Sequence, residues 1–561
     1  MSIVLDIDLE HLPTNIDQSH RLIRELLAER TKFEQTQSEH ERALAERERS
    51  LQELHEQYEL LRQLHYGRSS EKLKAEDLRQ MRLFNEAESG FQELRVLTAE
   101  QAASVPVAQH LRNRPRGRKP LAERLPREVV IHDVSEEQKR CPCCGKDRPL
   151  VSEQASEEAE IIPAKIHVIR HLRRVYGPCS CAAFADCGGP TMIRSPMPPR
   201  MIPGSIAAPG LLAYVLTAKF VDALPFYRQE RIFARLGIEV SRATLCGWTL
   251  AVGRTLEPLL QLMWEKLHEA PLVQMDETTL QVLHQPGRAK PGLSYMWVNI
   301  ASIEDANSDK LKRLVLFHYH PNRSADVPLA VLKDYQGFLQ TDGYSGYEEI
   351  GRQPLIIHVG CWAHARRFFH KASKITKKAG AADEALQFIA ELYRTEATLR
   401  EALAKEALSR AQFVERRAEL AGAILARFRV WLQQRIEQVP PKTALGKALH
   451  YTLAQWPRLD RYLDAWFLTP DNNVAENAIR PFVVGRKNFL FADTARGAHA
   501  SAAIYSMVES AKANGLEPYH YLRYLFTKLP AATTTEDYER LLPTSLTPKN
   551  LLELDSAPQP P

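Results

Sequence analysis

The sequence holds no apolar run near the roughly 20 residues needed to span a bilayer. Its first stretch, MSIVLDIDLEHLPTN, lacks a basic-then-apolar signal pattern. The expectation is therefore a chain without a membrane partner, located in the cytoplasm. A strong charge imbalance is missing too. The net charge is +5 and the pI about 8.6, which permits a nucleic-acid partner without demanding one. Cysteine is scarce outside one stretch: six of the eight lie between Cys141 and Cys187. Such local clustering in a cytosolic protein favours metal over disulfides. Proline and glycine are absent from residues 16–64. What is present in abundance is length, and 561 residues exceed one core, so several domains are expected.

The segment without proline or glycine carries a heptad seam. Alternating steps of three and four run Ile23, Leu26, Arg30, Phe33, Gln37, His40, Leu44, Arg47, Leu51, Leu54, Tyr58, Leu61, of which eight of twelve are apolar. This predicts a long helix with a coiled-coil stripe, and hence a homo-oligomer. Residues 96–120 lose periodicity and read as a linker containing NRPRGRKP. There Gly117 would let an extended backbone lie in a narrow minor groove while Arg116 and Arg118 reach into its negative potential. A basic linker touching only phosphates is the plainer alternative. Next, Cys141 and Cys144 make a C-x-x-C knuckle, half of a tetrahedral zinc site. Two of Cys179, Cys181 and Cys187 would close it, with Cys179 and Cys181 the expected pair. Further on, a helix, Gly237, a short turn and Ser241 as N-cap of a second helix follow helix-turn-helix grammar. That second helix would offer Arg242 and Thr244 to a DNA groove.

From residue 271 the pattern changes to strands. PLVQMDETTLQVL, SYMWVNIAS and RLVLFHYH sit at hairpin spacing. A helix (SADVPLAVLKDY), two strands (FLQTDGYSGY and PLIIHVGCW) and a helix (AHARRFFHKA) follow, the order of an RNase H-like sheet. Residues 379–458 read as a helical insertion, and the last thirty residues as a loose tail.

Three acids stand out within this order. Asp276 interrupts an apolar strand, where an unpaired carboxylate is costly. Asp342 ends a strand before Gly343, where α/β sheets place site residues. Glu476 lies in a helix-like run among Asn472, Asn473 and Arg480. Carboxylate oxygens suit Mg2+ or Mn2+, and two such ions can clamp a phosphoryl displacement. Each acid has a plainer reading. Glu277 could be the inward acid, Asp342 a turn residue, and Glu476 the partner of Arg480. His364, Arg366 and Arg367 at one helix start, and Arg486 and Lys487 after Glu476, are candidate phosphate contacts.

The sequence resembles the transposases of the insertion sequence 66 family over nearly its whole length. The motifs carrying the resemblance are YGRSSEKL, RGRKPL, CPCCG, PMPPRMIPGSIAAPGLLAYV, LPFYRQERIFARLGIEVSRATLCGW, MDETTLQVL, LQTDGYSGY, GCWAHARRFF, DNNVAENAIRPFVVGRKNFLF and SAAIYSMVESAKANGLEPYHYL. Matched motif by motif, the family's DDE triad falls on Asp276, Asp342 and Glu476. The resemblance implies an RNase H-like core, a zinc module and a C-terminal element. It also implies DNA partners (element ends and target), accessory proteins from the same element, and a bacterial, nucleoid-associated location. The chain departs from the pattern at PCSCAAFADC, where a regular second knuckle would stand.

The expected fold class is thus multidomain α/β: an RNase H-like mixed sheet with a helical insertion, preceded by a coiled-coil helix, a small zinc module and a helix-turn-helix-like segment. The expected divisions are 1–75 (helix), 76–135 (linker), 136–192 (zinc module), 193–262 (DNA-binding segment), 263–500 (catalytic domain) and 501–561 (C-terminal element and tail). A nuclease or resolvase on the same core, or a metal-dead DNA-binding regulator, are the alternatives in function.

Overall fold

A computed structural model describes residues 15–66, 104–107, 110–113, 165–176, 192–288, 292–305, 311–375 and 380–556. The chain divides into two compact units. One takes in residues 1–85, 201–223 and 248–561, the other 86–200 and 224–247.

The larger unit is built on a mixed sheet. Strands β1 (Leu272–His284), β2 (Gly292–Glu304) and β3 (Leu311–His320) form an antiparallel meander. Strands β4 (Gly337–Gln340) and β5 (Ile356–Val359) then run parallel to β1, giving the order β3-β2-β1-β4-β5. The helix expected at SADVPLAVLKDY is only a short turn of helix, Asp326–Val331. A sixth strand, β6 (Ala492–Thr494), pairs in parallel with the far end of β1. Sequence patterning missed it, since three residues are too few for a period-2 signal. Apolar side chains of the sheet, such as Val273, Met275, Trp297 and Val298, are fully buried. Their burial contributes roughly 1.5–3 kcal/mol per large side chain.

Edge strand β3 is capped from the side by the helix Ala495–Ala513. Counting helices along the chain, α1 is Ile16–Tyr66, α2 Pro209–Phe220, α3 Phe226–Arg235, α4 Arg242–Thr255, α5 Glu257–His268, and α6 the short Asp326–Val331. Then come α7 (Trp362–Ile375), α8 (Ala381–Ala404), α9 (Arg410–Ile436), α10 (Ala444–Leu459), α11 (Asn473–Phe489) and α12 (Ala495–Ala513). Ser506, Ser510 and Asn514 stand four residues apart along α12 and its C-terminal cap, on one face. Phe317 N–H donates to Ser506 Oγ and Val315 N–H to Ser510 Oγ, each at 2.8 Å. Asn514 Nδ2 donates to Arg313 O at 2.7 Å. Side chains thus satisfy backbone groups that an open edge would offer to another chain. The chain beyond is no loose tail: α13 (Pro518–Lys528), α14 (Thr535–Leu541) and α15 (Pro548–Ser556) follow. Leu541, Leu542, Leu546 and Leu551 are buried there, so apolar spacing outweighs the Thr and Pro content that suggested disorder.

The span 379–458 folds as helices α8, α9 and α10, which share an aromatic core with α7. Trp362, Phe428 and Trp456 meet with ring centroids about 6 Å apart. Arg417 is fully buried on α9. It faces Glu396 at 3.4 Å and donates to the carbonyls of Leu463, Ala465 and Leu468. A buried guanidinium is tolerable only with such partners; Nη1 and Nη2 find them while Nε does not, and the contacts pin the segment that leads into α11.

Helix α1 covers the predicted seam, and Ile23, Phe33, Leu44, Leu51, Leu54 and Tyr58 on it are exposed. In the second unit, α3 ends at a turn where Gly237 has φ +86°, a conformation only glycine adopts cheaply. Ser241 Oγ then accepts the Thr244 N–H at 3.2 Å, capping α4 as predicted. Within residues 165–176, Val175–Tyr176 is strand, paired with Ile193–Arg194. Cys141, Cys144, Cys179, Cys181, Cys187, Arg116 and Arg118 lie outside the described residues. Among the described residues, no helix is long and apolar enough to cross a membrane.

Candidate active site

Strand register brings two acids to one end of the sheet. Gln274 of β1 pairs with Gln340 of β4 in parallel, and two residues further along each chain stand Asp276 and Asp342. Period-2 alternation puts Asp276 on the Gln274 face. A buried amide ladder holds this register. Gln274 Nε2 donates to Gln340 Oε1 at 2.8 Å, and Gln340 Nε2 donates to Thr469 O at 2.7 Å. Asp342 is then fixed by its own turn, its Oδ1 accepting the Tyr344 N–H at 3.0 Å.

The same ladder reaches toward α11, which carries Glu476 in its first turn. Asn472, at the head of that helix, donates from Nδ2 to Met275 O at 2.8 Å, one residue before Asp276. Its backbone N–H points at Cys361 Sγ, 3.2 Å away. Trp362 N–H donates to Pro470 O at 2.9 Å. The start of α11 is therefore bonded to both β1 and the start of α7. Acid in a helix's first turn is also favoured by the macrodipole.

Glu476 does not pair with Arg480 in the way its spacing suggested. Arg367 of α7 forms its ion pair, and His364 Nδ1 stands 3.8 Å from its other oxygen. Arg367 Nη1 also meets His364 Nε2 at 3.0 Å. Of the candidate phosphate contacts on α7, Arg366 is half-buried and Arg367 is engaged with Glu476.

Glu277 and Asp276 differ sharply in their surroundings. Glu277, with its side chain 2% exposed, is neutralised by Arg323 and accepts the Tyr347 hydroxyl. Arg323 in turn lies 3.5 Å over the Tyr344 ring, and Tyr344 Oη donates to Arg323 O at 2.6 Å. Glu277 thus ties the Asp342 loop to the chain after β3. Asp276 forms no ion pair among the described residues. Burial pushes its carboxyl up to about 8, and the charges of Glu277, Asp342 and Glu476 push in the same direction; the Glu277 N–H, at 2.8 Å, and the charge of Arg367, which is ion-paired to Glu476, oppose them. Asp471, just before α11, is likewise raised to about 6, chiefly by burial. Acids crowded this way cannot all ionise without a cation. Hard oxygen donors of this kind fit Mg2+ or Mn2+.

The remaining candidate contacts are scattered. Arg486 donates to the hydroxyls of Thr278 and Thr279, at 3.2 and 3.0 Å, which docks α11 on β1. Lys487 is exposed beside it. Arg242 is exposed and pairs with Glu230 at 3.2 Å, and Thr244 Oγ1 meets Ser241 Oγ at 3.0 Å. Sequence reasoning missed Cys361, Arg323 and the Gln274–Gln340 ladder. The only local signal was glutamine at matching places in two apolar strands.

Comparison with known proteins adds four matches. Residues 204–500 match a family model described as "Transposase IS66 family", and residues 506–544 match "IS66 C-terminal element". Residues 53–130 match "Transposase C of IS166 homeodomain", and residues 138–181 match "zinc-finger binding domain of transposase IS66". Relatives come from Sinorhizobium fredii (strain NBRC 101917 / NGR234). "Uncharacterized protein y4qI" is 31% identical over 499 residues, covering 87% of this chain and 88% of that one. "Uncharacterized protein y4jD" is 31% identical over 432 residues, covering 75% and 81%. "Uncharacterized protein y4hP" is 27% identical over 487 residues, covering 82% and 84%.

Proposed function

The chain belongs to the transposase IS66 family, and from that premise we propose that it nicks the ends of an insertion sequence and joins them to target DNA. Family membership carries the transposase role, and the zinc-finger match carries Zn2+ as a cofactor. The chemistry is our reading. Asp276, Asp342 and Glu476 act as the DDE triad on an RNase H-like sheet of order β3-β2-β1-β4-β5. The observation that carries it is Asp276, for which no ion pair is found among the described residues, raised to about 8 by burial and by the charges of Glu277, Asp342 and Glu476, while its neighbour Glu277 is paired with Arg323.

These three carboxylates would hold Mg2+ or Mn2+. When bound, such ions stabilise charge developing on the phosphate and favour the attacking water or 3′-hydroxyl. The chain's own residues do the rest. Asn472 and the glutamine ladder set the spacing of the three acids. Arg367, half exposed on α7, is placed to exchange Glu476 for a phosphate of the scissile strand. Lys487 and His364 flank the same strand, and Arg242, Thr244, Arg116 and Arg118 contact DNA elsewhere. Cys141, Cys144, Cys179 and Cys181 bind the zinc. The zinc-finger match ends at residue 181, which supports Cys181 over Cys187. The exposed seam on α1 is the assembly surface of a homo-oligomer. Proteins encoded by the same element would assist it on the nucleoid.

The test is incubation of purified protein with labelled element ends and Mg2+ or Mn2+. Nicked and strand-joined products support the reading. Nicks without joining would make the protein a nuclease, and no metal-dependent product would sink the catalytic claim.

A further inference from the structure

Beside the carboxylates lies a second donor set of different chemistry. One ligand atom each from Cys361, His364 and Glu476 lie within 4.8 Å of one another. Cys361, immediately before α7, is 2% exposed, and its sulfur receives the Asn472 N–H at the head of α11. Two of the polar atoms here, His364 Nδ1 and Glu476 Oε1, are buried without a hydrogen-bond partner. Native proteins rarely leave such groups orphaned unless a ligand satisfies them.

We propose that Cys361, His364 and Glu476 form a binding site for a soft or borderline divalent ion such as Zn2+, and that filling it withdraws Glu476 from the carboxylate group. The ion site stands on the donor geometry alone; its inhibitory effect rests on the catalytic role proposed for Glu476. Thiolate, imidazole and carboxylate together are a zinc-type donor set. Mg2+ prefers oxygen throughout and does not compete for sulfur. Zinc bond lengths put tetrahedral donors about 3.3–3.6 Å apart; His364 Nδ1 and Glu476 Oε1 stand 3.8 Å apart and no pair exceeds 4.8 Å, so the donors close by at most ~1.5 Å. Side-chain rotation of His364 and Glu476 from facing helices suffices for that. Arg367 now neutralises Glu476 and meets His364 Nε2, and with half its side chain exposed it swings out as the ion enters. The imidazole proton then moves from Nδ1 to Nε2, and the thiol proton is released to solvent. Burial, then the charges of Asp471 and Glu476, hold the Cys361 proton tightly.

The experiment is a Co2+ titration of the full-length protein, following the sulfur-to-cobalt charge-transfer band and bound metal per chain. Because the zinc module also offers thiolates, the wild type is compared with Cys361→Ser and His364→Asn. The expected result is loss of one thiolate-bound Co2+ equivalent in Cys361→Ser and at least ~10-fold weaker binding of that equivalent in His364→Asn. Circular dichroism checks that each variant is folded, and His364→Asn leaves the buried thiol in place. Equal stoichiometry, band and affinity in all three proteins would overturn the site. A second arm measures Zn2+ inhibition of Mg2+-supported end cleavage, each protein scaled to its own zinc-free rate. Half-inhibition should need at least ~10-fold more Zn2+ in Cys361→Ser; identical inhibition curves would overturn the coupling. If the wild type cleaves nothing, the catalytic reading fails while the Co2+ titration still decides the ion site.

Discussion

Asp276→Asn should make the metal-free protein more stable at pH 8 while abolishing its response to Mg2+. Asparagine keeps the shape of the side chain and an oxygen for the Glu277 N–H, 2.8 Å away in the native protein. What it removes is the charge. Burial and three neighbouring acids raise the Asp276 carboxyl from 3.8 to about 8. At ~1.4 kcal/mol per unit this bounds the effect near 6 kcal/mol; relaxation of the Asp342 turn and water entry bring the expectation to about 2–4 kcal/mol. The sign follows from linkage. A carboxyl with a higher pKa folded than unfolded favours the fold fully below about pH 4, and loses that contribution as the pH rises through about 8. Wild type and variant should therefore unfold at similar urea concentrations at pH 4 in chelator. At pH 8 the variant should be the more resistant. Adding Mg2+ at pH 8 should then stabilise the wild type and leave the variant unmoved. A variant no more stable than wild type at pH 8, or equal Mg2+ stabilisation of both, would refute the reasoning.

Elemental analysis should find a zinc that disappears from a Cys141→Ser, Cys144→Ser double variant, and metal-free wild type that keeps its zinc-module fold would rule the site out. Removing residues 1–75 should lower the assembly state in light scattering, because it deletes the exposed Ile23, Leu51 and Leu54 seam. Arg417→Leu should destabilise the protein by about 3 kcal/mol in chemical denaturation, since Glu396 loses one of its two guanidinium partners and the carbonyls of Leu463, Ala465 and Leu468 each lose a donor. The same change should slow end cleavage, because those carbonyls precede α11.

Much of the scaffold was legible because its signals are local. The seam of α1 has 3.5-residue periodicity, the meander has strand-length apolar runs at hairpin spacing, and Ser241 caps a helix after a glycine turn. Asp276 could be noticed as an acid in an apolar strand and matched to the triad by its motif, but the different surroundings of Glu277 come from long-range contacts. Glu277 is neutralised by Arg323, 46 residues away in sequence, and no pattern announces that pair. The same holds for Arg417 and its carbonyls, and for Arg367 taking Glu476 in place of Arg480. Helix α12 reads as alanine-rich and nondescript, yet Ser506 and Ser510 close a sheet edge. The C-terminal helices were hidden by threonine and proline that serve as caps and first-turn residues, such as Thr534 capping α14. Cys361 lies within the GCWAHARRFF motif but nothing there marked it as a ligand; the meeting of α7 and α11 gives it partners.

The central claim is that Asp276, Asp342 and Glu476 act as one metal-binding catalytic unit. It is tested most directly by one Mg2+ cleavage assay on labelled element ends, with Asp276→Ala, Asp342→Ala and Glu476→Gln beside the wild type and end binding measured in parallel. Each variant removes a hard oxygen ligand, so cleavage and joining should fall by orders of magnitude. End binding should persist, because it rests on lysine and arginine contacts to phosphates. Variants that still cleave at wild-type rates would contradict the account.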